Sequence, residues 1–348
     1  MTILRRRQAN ARLRRAEVVA GFELLLRRSP AGEAEIAAAL RLGSLPELVD
    51  HLLATDEFRR RYEALVPPKP ASEPASAAPA ADTRPPALFL GDRVLCWTHH
   101  GMRLYLLPQD IDLTPRILAS GDWENHVEQT MRRLLRPGNT VIDLGANVGY
   151  HTLNFCDAAG PHGRVFAFEP HPEVMRLLAA TIFINHFEDR AELHCLAVAD
   201  TPGTLALALS PDHFGSGNLV PAGASRLYDD SYPIRLTVPA VTLDALLGER
   251  VAAVDLLHMD IEGAEPQALR GAAALIERSP SLKIVTEWSL GIMQAHAVDI
   301  PAYIAWLQQR GFRFWHIDSA TANLEPLAAS QLLDLPHSDL LLSRQDPD

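Results

Sequence analysis

Thr140-Val-Ile-Asp-Leu-Gly-Ala-Asn-Val-Gly-Tyr150 is the stretch that decides the fold. A short apolar, β-branched run ends at Asp143, two glycines bracket a turn, and a helical pattern opens at Tyr150. In open α/β sheets, ligands sit beyond the carboxyl ends of strands, near the point where the strand order reverses. Gly145 lets the backbone approach such a ligand without a side-chain clash. The spacing is Asp-x-Gly-x-x-x-Gly, so the central glycine of the dinucleotide pattern is missing. A nucleoside ligand without phosphates needs a close turn rather than an anion cradle. Asp143 is suited to the cationic end of such a ligand, directly or through water.

Working outward, strands and helices alternate. Apolar runs at 140–144, 164–168, 192–198, 254–260 and 282–287 read as strands covered on both faces. Helical patterns at 150–158, 172–186, 266–278 and 300–310 separate most of them. The expected fold class is α/β, a doubly wound sheet. A hairpin is expected at 94–98 and 102–107 around His99-His100-Gly101, a helix at 123–135, and a terminal antiparallel pair at 312–317 and 340–343.

Two further strand ends carry acids. Phe166-Ala-Phe-Glu-Pro170 sets Glu169 26 residues after Asp143, where a carboxylate accepts hydrogen bonds from ribose hydroxyls. Leu257-His-Met-Asp-Ile-Glu-Gly-Ala-Glu265 concentrates Asp260, Glu262 and Glu265 around Gly263. One of these acids is expected to position a cofactor and another to orient or deprotonate an acceptor. Helix N-terminal acids also favour the helix dipole, which accounts in part for Glu265 and poorly for Asp260.

The N-terminal residues 1–66 read as a small helical module, with Val18, Val19, Phe22, Leu25 and Leu26 at helical spacing. Ser29-Pro30 is an expected helix start, and Ser44 with Glu47 forms a capping-box pair. Residues 67–87 hold seven prolines among Ala and Ser and read as a semi-rigid linker, leaving 88–348 as the large domain. The basic stretch of Arg5, Arg6, Arg7, Arg12, Arg14 and Arg15 has no apolar core behind it and is not read as a secretory signal.

The formal net charge is -11; residues 1–66 hold 12 Lys+Arg against 9 Asp+Glu, so the remainder carries -14. That charge argues against a nucleic-acid partner. No apolar run is long enough for a transmembrane segment. Cys96, Cys156 and Cys195 stand apart in apolar surroundings, as expected for buried, reduced thiols of a cytoplasmic protein. No metal site is assigned.

Asp143-Leu-Gly-Ala-Asn-Val-Gly149, Phe168-Glu-Pro170, Val241-Thr-Leu-Asp244 and Met259-Asp-Ile-Glu-Gly-Ala-Glu265 stand in the order found in FkbM-family methyltransferases. Trp123-Glu124, Leu196-Ala-Val-Ala-Asp200 and Thr286-Glu287 are similar as well, so the resemblance runs from about Asp112 to Phe314. It implies a class I methyltransferase (Rossmann-like) sheet, S-adenosylmethionine as donor, and O-methylation of a sugar, glycan or secondary-metabolite hydroxyl. It further implies that Asp143, Gly145, Asn147, Gly149, Glu169, Ala197 and Asp260 contact the cofactor, with Ala197 beside the adenine. Asn147 also stands where it can hold the turn itself. His258 departs from the family, which commonly has lysine there, and is read as a satisfied strand-end histidine. The helical module resembles one appended to bacterial glycan- and surface-related enzymes. Asn218 lies in a loop expected to cover the acceptor.

Asp260, Glu262, Glu287 and His213 are candidate bases, the first three being the favoured catalytic set. A divalent cation held by Asp260, Glu262 and Glu287 is an alternative to a base. A nicotinamide-dependent oxidoreductase and a non-catalytic interaction protein with a degenerate site are the alternatives to a methyltransferase. The missing central glycine argues against the first, and the intact set of Asp143, Glu169 and Asp260 against the second.

Overall fold

The computed structural model describes residues 85–209, 218–220 and 234–347, with 29–42 and positions 15, 18, 22, 48, 51, 52 and 55 before them. The chain divides into two compact units, Met1–Asp82 and Thr83–Asp348. In the first, helix α1 (Glu33–Leu40) begins after Gly32 rather than at Pro30. The Ala31 amide donates to the Glu35 carboxylate (2.5 Å), which ties down the start of that helix. Val18, Phe22, Ile36, Ala39, Leu48 and Leu52 are buried. The Ser44–Glu47 pair, His213, and the expected linker up to residue 84 lie outside the described residues.

The second unit opens with an antiparallel meander of β1 (Ala87–Phe89), β2 (Val94–Trp97) and β3 (Arg103–Leu106). The hairpin is the expected one. Strand β1 begins at the last residue assigned to the linker, because Ala87 pairs with Cys96 as soon as the prolines end. Helices α2 (Leu113–Ser120) and α3 (Asn125–Leu134) lead into the large sheet.

Its first half is β4 (Thr140–Leu144), α4 (Tyr150–Ala159), β5 (Arg164–Phe168), α5 (Pro172–Ile184) and β6 (Ala191–His194). A separate four-stranded sheet follows, built from β7 (Ala197–Val198), β8 (Gly203–Leu209), β9 (Asn218–Val220) and β10 (Ile234–Val241). The chain returns through α6 (Leu243–Leu247), β11 (Leu256–Met259), α7 (Glu265–Arg270), α8 (Ala273–Glu277) and β12 (Lys283–Ser289). Helices α9 (Leu290–Ala295) and α10 (Ile300–Gln309) precede β13 (Arg313–Ile317), β14 (Leu324–Leu327) and β15 (His337–Ser343).

The large sheet has the order β14-β13-β15-β12-β11-β4-β5-β6. Strands β12, β11, β4, β5 and β6 are parallel, and β13 to β15 form an antiparallel edge. From β4 the chain winds first toward β5 and β6, then toward β11 and β12. The reversal therefore lies between β4 and β11, where their carboxyl ends leave a crevice. Neighbours Val141 and Ile142 point to opposite faces and are both buried, so helices cover both sides. Leu257, Ile284, Leu269, Leu275 and Leu307 share the main core with Ile142 and Phe166.

Two expected elements are split. The run 192–198 is two strands in different sheets: β6 pairs with β5, whereas β7 pairs with β10. Local apolar pattern is the same in both and does not encode the partner. The expected helix at 266–278 breaks into α7 and α8. Both oxygens of Asp244 accept amide protons at the second start, from Leu275 (2.8 Å) and Ala274 (2.9 Å). A Cβ on Gly271 at the break would lie 2.0 Å from the Ala199 carbonyl oxygen, so the backbone just beyond β7 runs against it. Cys96 and Cys156 are buried, but Cys195 is exposed, because it falls where the chain leaves one sheet for the other. Among the described residues, no helix is long and apolar enough to cross a membrane.

Candidate active site

The ends of β4, β5 and β11 are tied together by backbone hydrogen bonds. The Gly145 and Ala146 amides both donate to the Phe168 carbonyl (3.0 Å), and the Asp260 amide donates to the Leu144 carbonyl (3.1 Å). Gly145 has a φ of +80°, and a Cβ there would lie 1.9 Å from the Asp260 carbonyl oxygen. Only glycine allows that approach. Asn147 also adopts a positive φ, 48°, which asparagine tolerates. Its Oδ1 accepts the Val148 amide proton (2.8 Å), so it holds the turn as well as facing the crevice.

Two cavities meet at these loops, sharing Gly145, Asn147, Asp260 and Glu262. The first encloses about 1120 Å³, open at its mouth, and is lined by Asp143, Glu124, His151, His258, Glu287 and Asp339 among others. The second, about 680 Å³, is lined by Glu169, Leu196, Ala197, Leu207, Leu209 and Ile261 and is more apolar in side-chain type. Of the residues expected to contact a cofactor, Asp143 faces the first cavity, Glu169 and Ala197 the second, and Gly145, Asn147 and Asp260 both. Gly149 faces neither. Its φ is +99°, and a Cβ would meet Leu178 Cδ1 at 2.6 Å, so this glycine packs α4 against α5. Asn218 opens β9 rather than lying in a loop, and its backbone pairs with Ala208 of β8.

Asp143 is fully buried with both oxygens engaged. The Thr152 hydroxyl donates to Oδ2 (2.5 Å) and His258 Nδ1 donates to Oδ1 (2.8 Å). His258 is thus the satisfied strand-end histidine that its position implied, and the fully buried Asp143 shapes the cavity wall. Glu169 bridges two loops, accepting the Asn147 amide (3.0 Å) and the His171 amide (2.7 Å). Burial pushes its carboxyl up to about 7, against the pull of those two amides. Each oxygen keeps a lone pair for a further donor.

Asp260, Glu262 and Glu287 cluster at the first cavity. Asp260 and Glu262 have no hydrogen-bond partner on their carboxylates among the described residues, and Glu262 sits at a positive φ of 54°. Burial raises all three, reinforced by neighbouring carboxylates that include Glu124 and Glu265: Asp260 well above its ordinary value, Glu262 to about 7, Glu287 to about 8. His337 Nδ1 lies 3.3 Å from Glu287 Oε1. Glu265 faces inward instead. Its carboxylate accepts the Ile261 amide (3.2 Å) at the head of α7, and burial lifts it to about 7. Among the described residues, the oxygens of Asp260, Glu262 and Glu287 do not gather within one coordination sphere.

Sequence reasoning did not assign Glu124 and Asp339 to the cavity. Burial raises Glu124, but the hydrogen bond from His151 Nε2 (3.1 Å) and the nearby His151, His258 and His126 outweigh it, so its carboxyl is lowered overall. His126 Nε2 donates to Asp339 (2.7 Å), and that bond raises the imidazole. Trp123-Glu124 was visible as a family feature. Asp339 sits on the antiparallel edge 195 residues from Leu144, and no local signal links the two.

A family model described as the methyltransferase FkbM domain matches residues 143–314. The 31-O-demethyl-FK506 methyltransferase FkbM of Streptomyces tacrolimicus is 30% identical over 162 residues, covering 39% of this chain and 60% of that protein. Methyltransferase sdnD of Sordaria araneosa is 25% identical over 154 residues, covering 38% and 59%. A SAM-dependent O-methyltransferase from Thermotoga maritima aligns at a TM-score of 0.36 and 12% identity, covering 76% of this chain and 86% of that one. The chain spans about 60% of the length of the curated relatives it matches. The matched span opens on Asp143 and takes in the ends of β4, β5, β11 and β12, so residues 143–314 of this chain carry the match to the FkbM methyltransferase domain.

Proposed function

We propose that this protein transfers a methyl group from S-adenosylmethionine to a hydroxyl oxygen. The observation that carries the reading is the junction of the two cavities at Gly145, Asn147, Asp260 and Glu262. The apolar cavity suits the adenosine, with Ala197, Leu207 and Leu209 around the adenine and Glu169 accepting from the ribose hydroxyls. The acidic cavity suits the ammonium and sulfonium, with Asp260 and Glu262 beside the cationic end. The acceptor then enters the open side of the acidic cavity.

A sulfonium needs little activation, so alignment of the acceptor oxygen is the main requirement, and it can contribute about 7–11 kcal/mol. A hydroxyl must also lose its proton, to which a positioned base contributes roughly 10²–10⁴-fold. We assign that base to Glu287. It lines the acidic cavity and not the adenosine cavity, and its carboxyl titrates near about 8, close to working pH. The cationic donor favours its ionised form. Scattered oxygens argue against Asp260, Glu262 and Glu287 as a cation site. The acceptor class we favour is a sugar or glycan hydroxyl, with a secondary metabolite as the other member of the family's range, in a cytoplasmic setting. A nucleic-acid acceptor is disfavoured by the acidic cavity.

Labelled donor turned over against a panel of glycans and small hydroxylated metabolites tests this. Glu287→Gln should lower kcat at least 100-fold even at saturating donor, and Glu169→Ala should abolish donor binding. Binding of NAD(H) in place of S-adenosylhomocysteine by calorimetry would refute the reading.

A further inference from the structure

The turn of the β2–β3 hairpin carries His99 and His100, which lie outside both cavities. They face Glu128 of α3, a carboxylate that is only 1% exposed. His100 Nε2 is 2.5 Å from Glu128 Oε1, and His99 Nε2 is 3.5 Å from the same oxygen. One ligand atom from each of the three residues falls within 4.8 Å of the others, the single such grouping among the described residues. The Tyr150 hydroxyl donates to the second oxygen, Oε2.

The orientation of the His99 ring is the informative detail. Its Nδ1 faces the Gly121 carbonyl oxygen at 3.3 Å and the Tyr150 oxygen at 3.4 Å. A carbonyl only accepts, so Nδ1 carries a proton and Nε2 is the ring atom turned toward Glu128. Nε2 is left facing the carboxylate oxygen at 3.5 Å, longer than a hydrogen bond of good geometry and close to the spacing of two ligands on one ion. Two imidazoles and a carboxylate, with a backbone carbonyl fixing one ring and a tyrosine fixing the carboxylate, are the ligand and outer-shell chemistry of a zinc-type ion. Ligand bonds of about 2.0–2.2 Å in a tetrahedron put ligand atoms about 3.3–3.5 Å apart. The His99–Glu128 distance matches already. His100 must withdraw by about 1 Å to reach the same spacing, which an exposed turn residue can do.

We propose that His99, His100 and Glu128 bind a divalent transition-metal ion, Zn²⁺ by their chemistry, with a solvent molecule as fourth ligand. The ion staples the hairpin turn to α3. Trp123, Glu124 and Val127 beside that helix start, together with Tyr150, line the acidic cavity, so the staple fixes one wall of it. The proposal is independent of the methyl-transfer reading.

The test is calorimetric titration of the tag-free, metal-stripped full-length chain with Zn²⁺, and absorption titration with Co²⁺. One equivalent of Zn²⁺ should bind with Kd below about 10 μM, and Co²⁺ should give the visible bands of a four-coordinate site. His99→Ala/His100→Ala should lose that equivalent, and Zn²⁺ should raise Tm in wild type but not in the variant. Both residues are exposed, so the variant should fold; His100→Gln alone, expected to weaken binding at least 10-fold, serves as a second check. The chain has 14 histidines, so an equivalent retained by the double variant puts the ion elsewhere and overturns the proposal. Absence of binding by wild type at that concentration also overturns it, leaving a histidine–carboxylate hydrogen bond.

Discussion

Binding of S-adenosylmethionine should expel protons from the acidic cavity, and the number can be worked from the site. Glu262 titrates at about 7 and Glu287 at about 8 in the free protein. At pH 6.5 they therefore hold roughly 0.76 and 0.97 proton. A cation within a few ångströms lowers a carboxyl by 1–3 units, and a drop of about two leaves roughly 0.03 and 0.24. These two acids alone should thus release more than one proton per donor bound, and affinity should rise about tenfold or more between pH 6 and pH 7. The sign follows from charge: higher pH ionises the carboxylates, and ionised carboxylates favour a cation. Calorimetry in buffers of different ionisation enthalpy measures the release directly. S-adenosylhomocysteine shares the ammonium but has a neutral thioether, so it should release markedly fewer, and Glu287→Gln should remove about half of the effect. Equal release for the two ligands, or affinity that falls with pH, would refute the argument that the sulfonium sits among these acids.

Three further outcomes are expected. Gly145→Ala should abolish donor binding and lower Tm, since left-handed backbone costs about 1–2 kcal/mol for alanine before the 1.9 Å approach to Asp260 is relieved; wild-type affinity in this variant would refute the close-turn argument. Asp143→Ala strips the acceptor from His258 and Thr152 at a fully buried site, so urea unfolding should show a loss of about 3–5 kcal/mol, and a loss under 1 kcal/mol would remove Asp143 from its structural role. Glu169, Glu262, Glu265 and Glu287 all sit above the ordinary carboxylate range, so the folded apo protein holds more protons than the unfolded chain between about pH 4.5 and 8. Their contribution to stability must fall as pH rises through that window, and denaturant midpoints at pH 5 and pH 8 should show Glu287→Gln declining less steeply than wild type.

How much of this was readable beforehand depends on how local each feature is. The Asp143–Tyr150 run contains its own strand end, its own turn glycines and its own helix start, and all three form as its residue types dictate. Glu169 and Asp260 were visible because each closes an apolar run, and strand ends on one side of a parallel sheet are neighbours by construction. Gly149 looked like Gly145 in the sequence, yet one glycine admits a strand-end loop and the other a leucine of α5. That distinction depends on what stands opposite.

Sequence alone determined the alternation of apolar strands and helices, and with it the α/β class and the three acidic strand ends. Tertiary structure decided that 192–198 serves two sheets, that 266–278 turns aside at Gly271, and that Glu124 and Asp339 join the acids at one cavity. Apolar periodicity fixes whether a segment extends or coils, because that is set by contacts a few residues apart. Pairing partners and the neighbours that shift a carboxyl come from residues tens to hundreds of positions away, and only the packed chain brings them within reach.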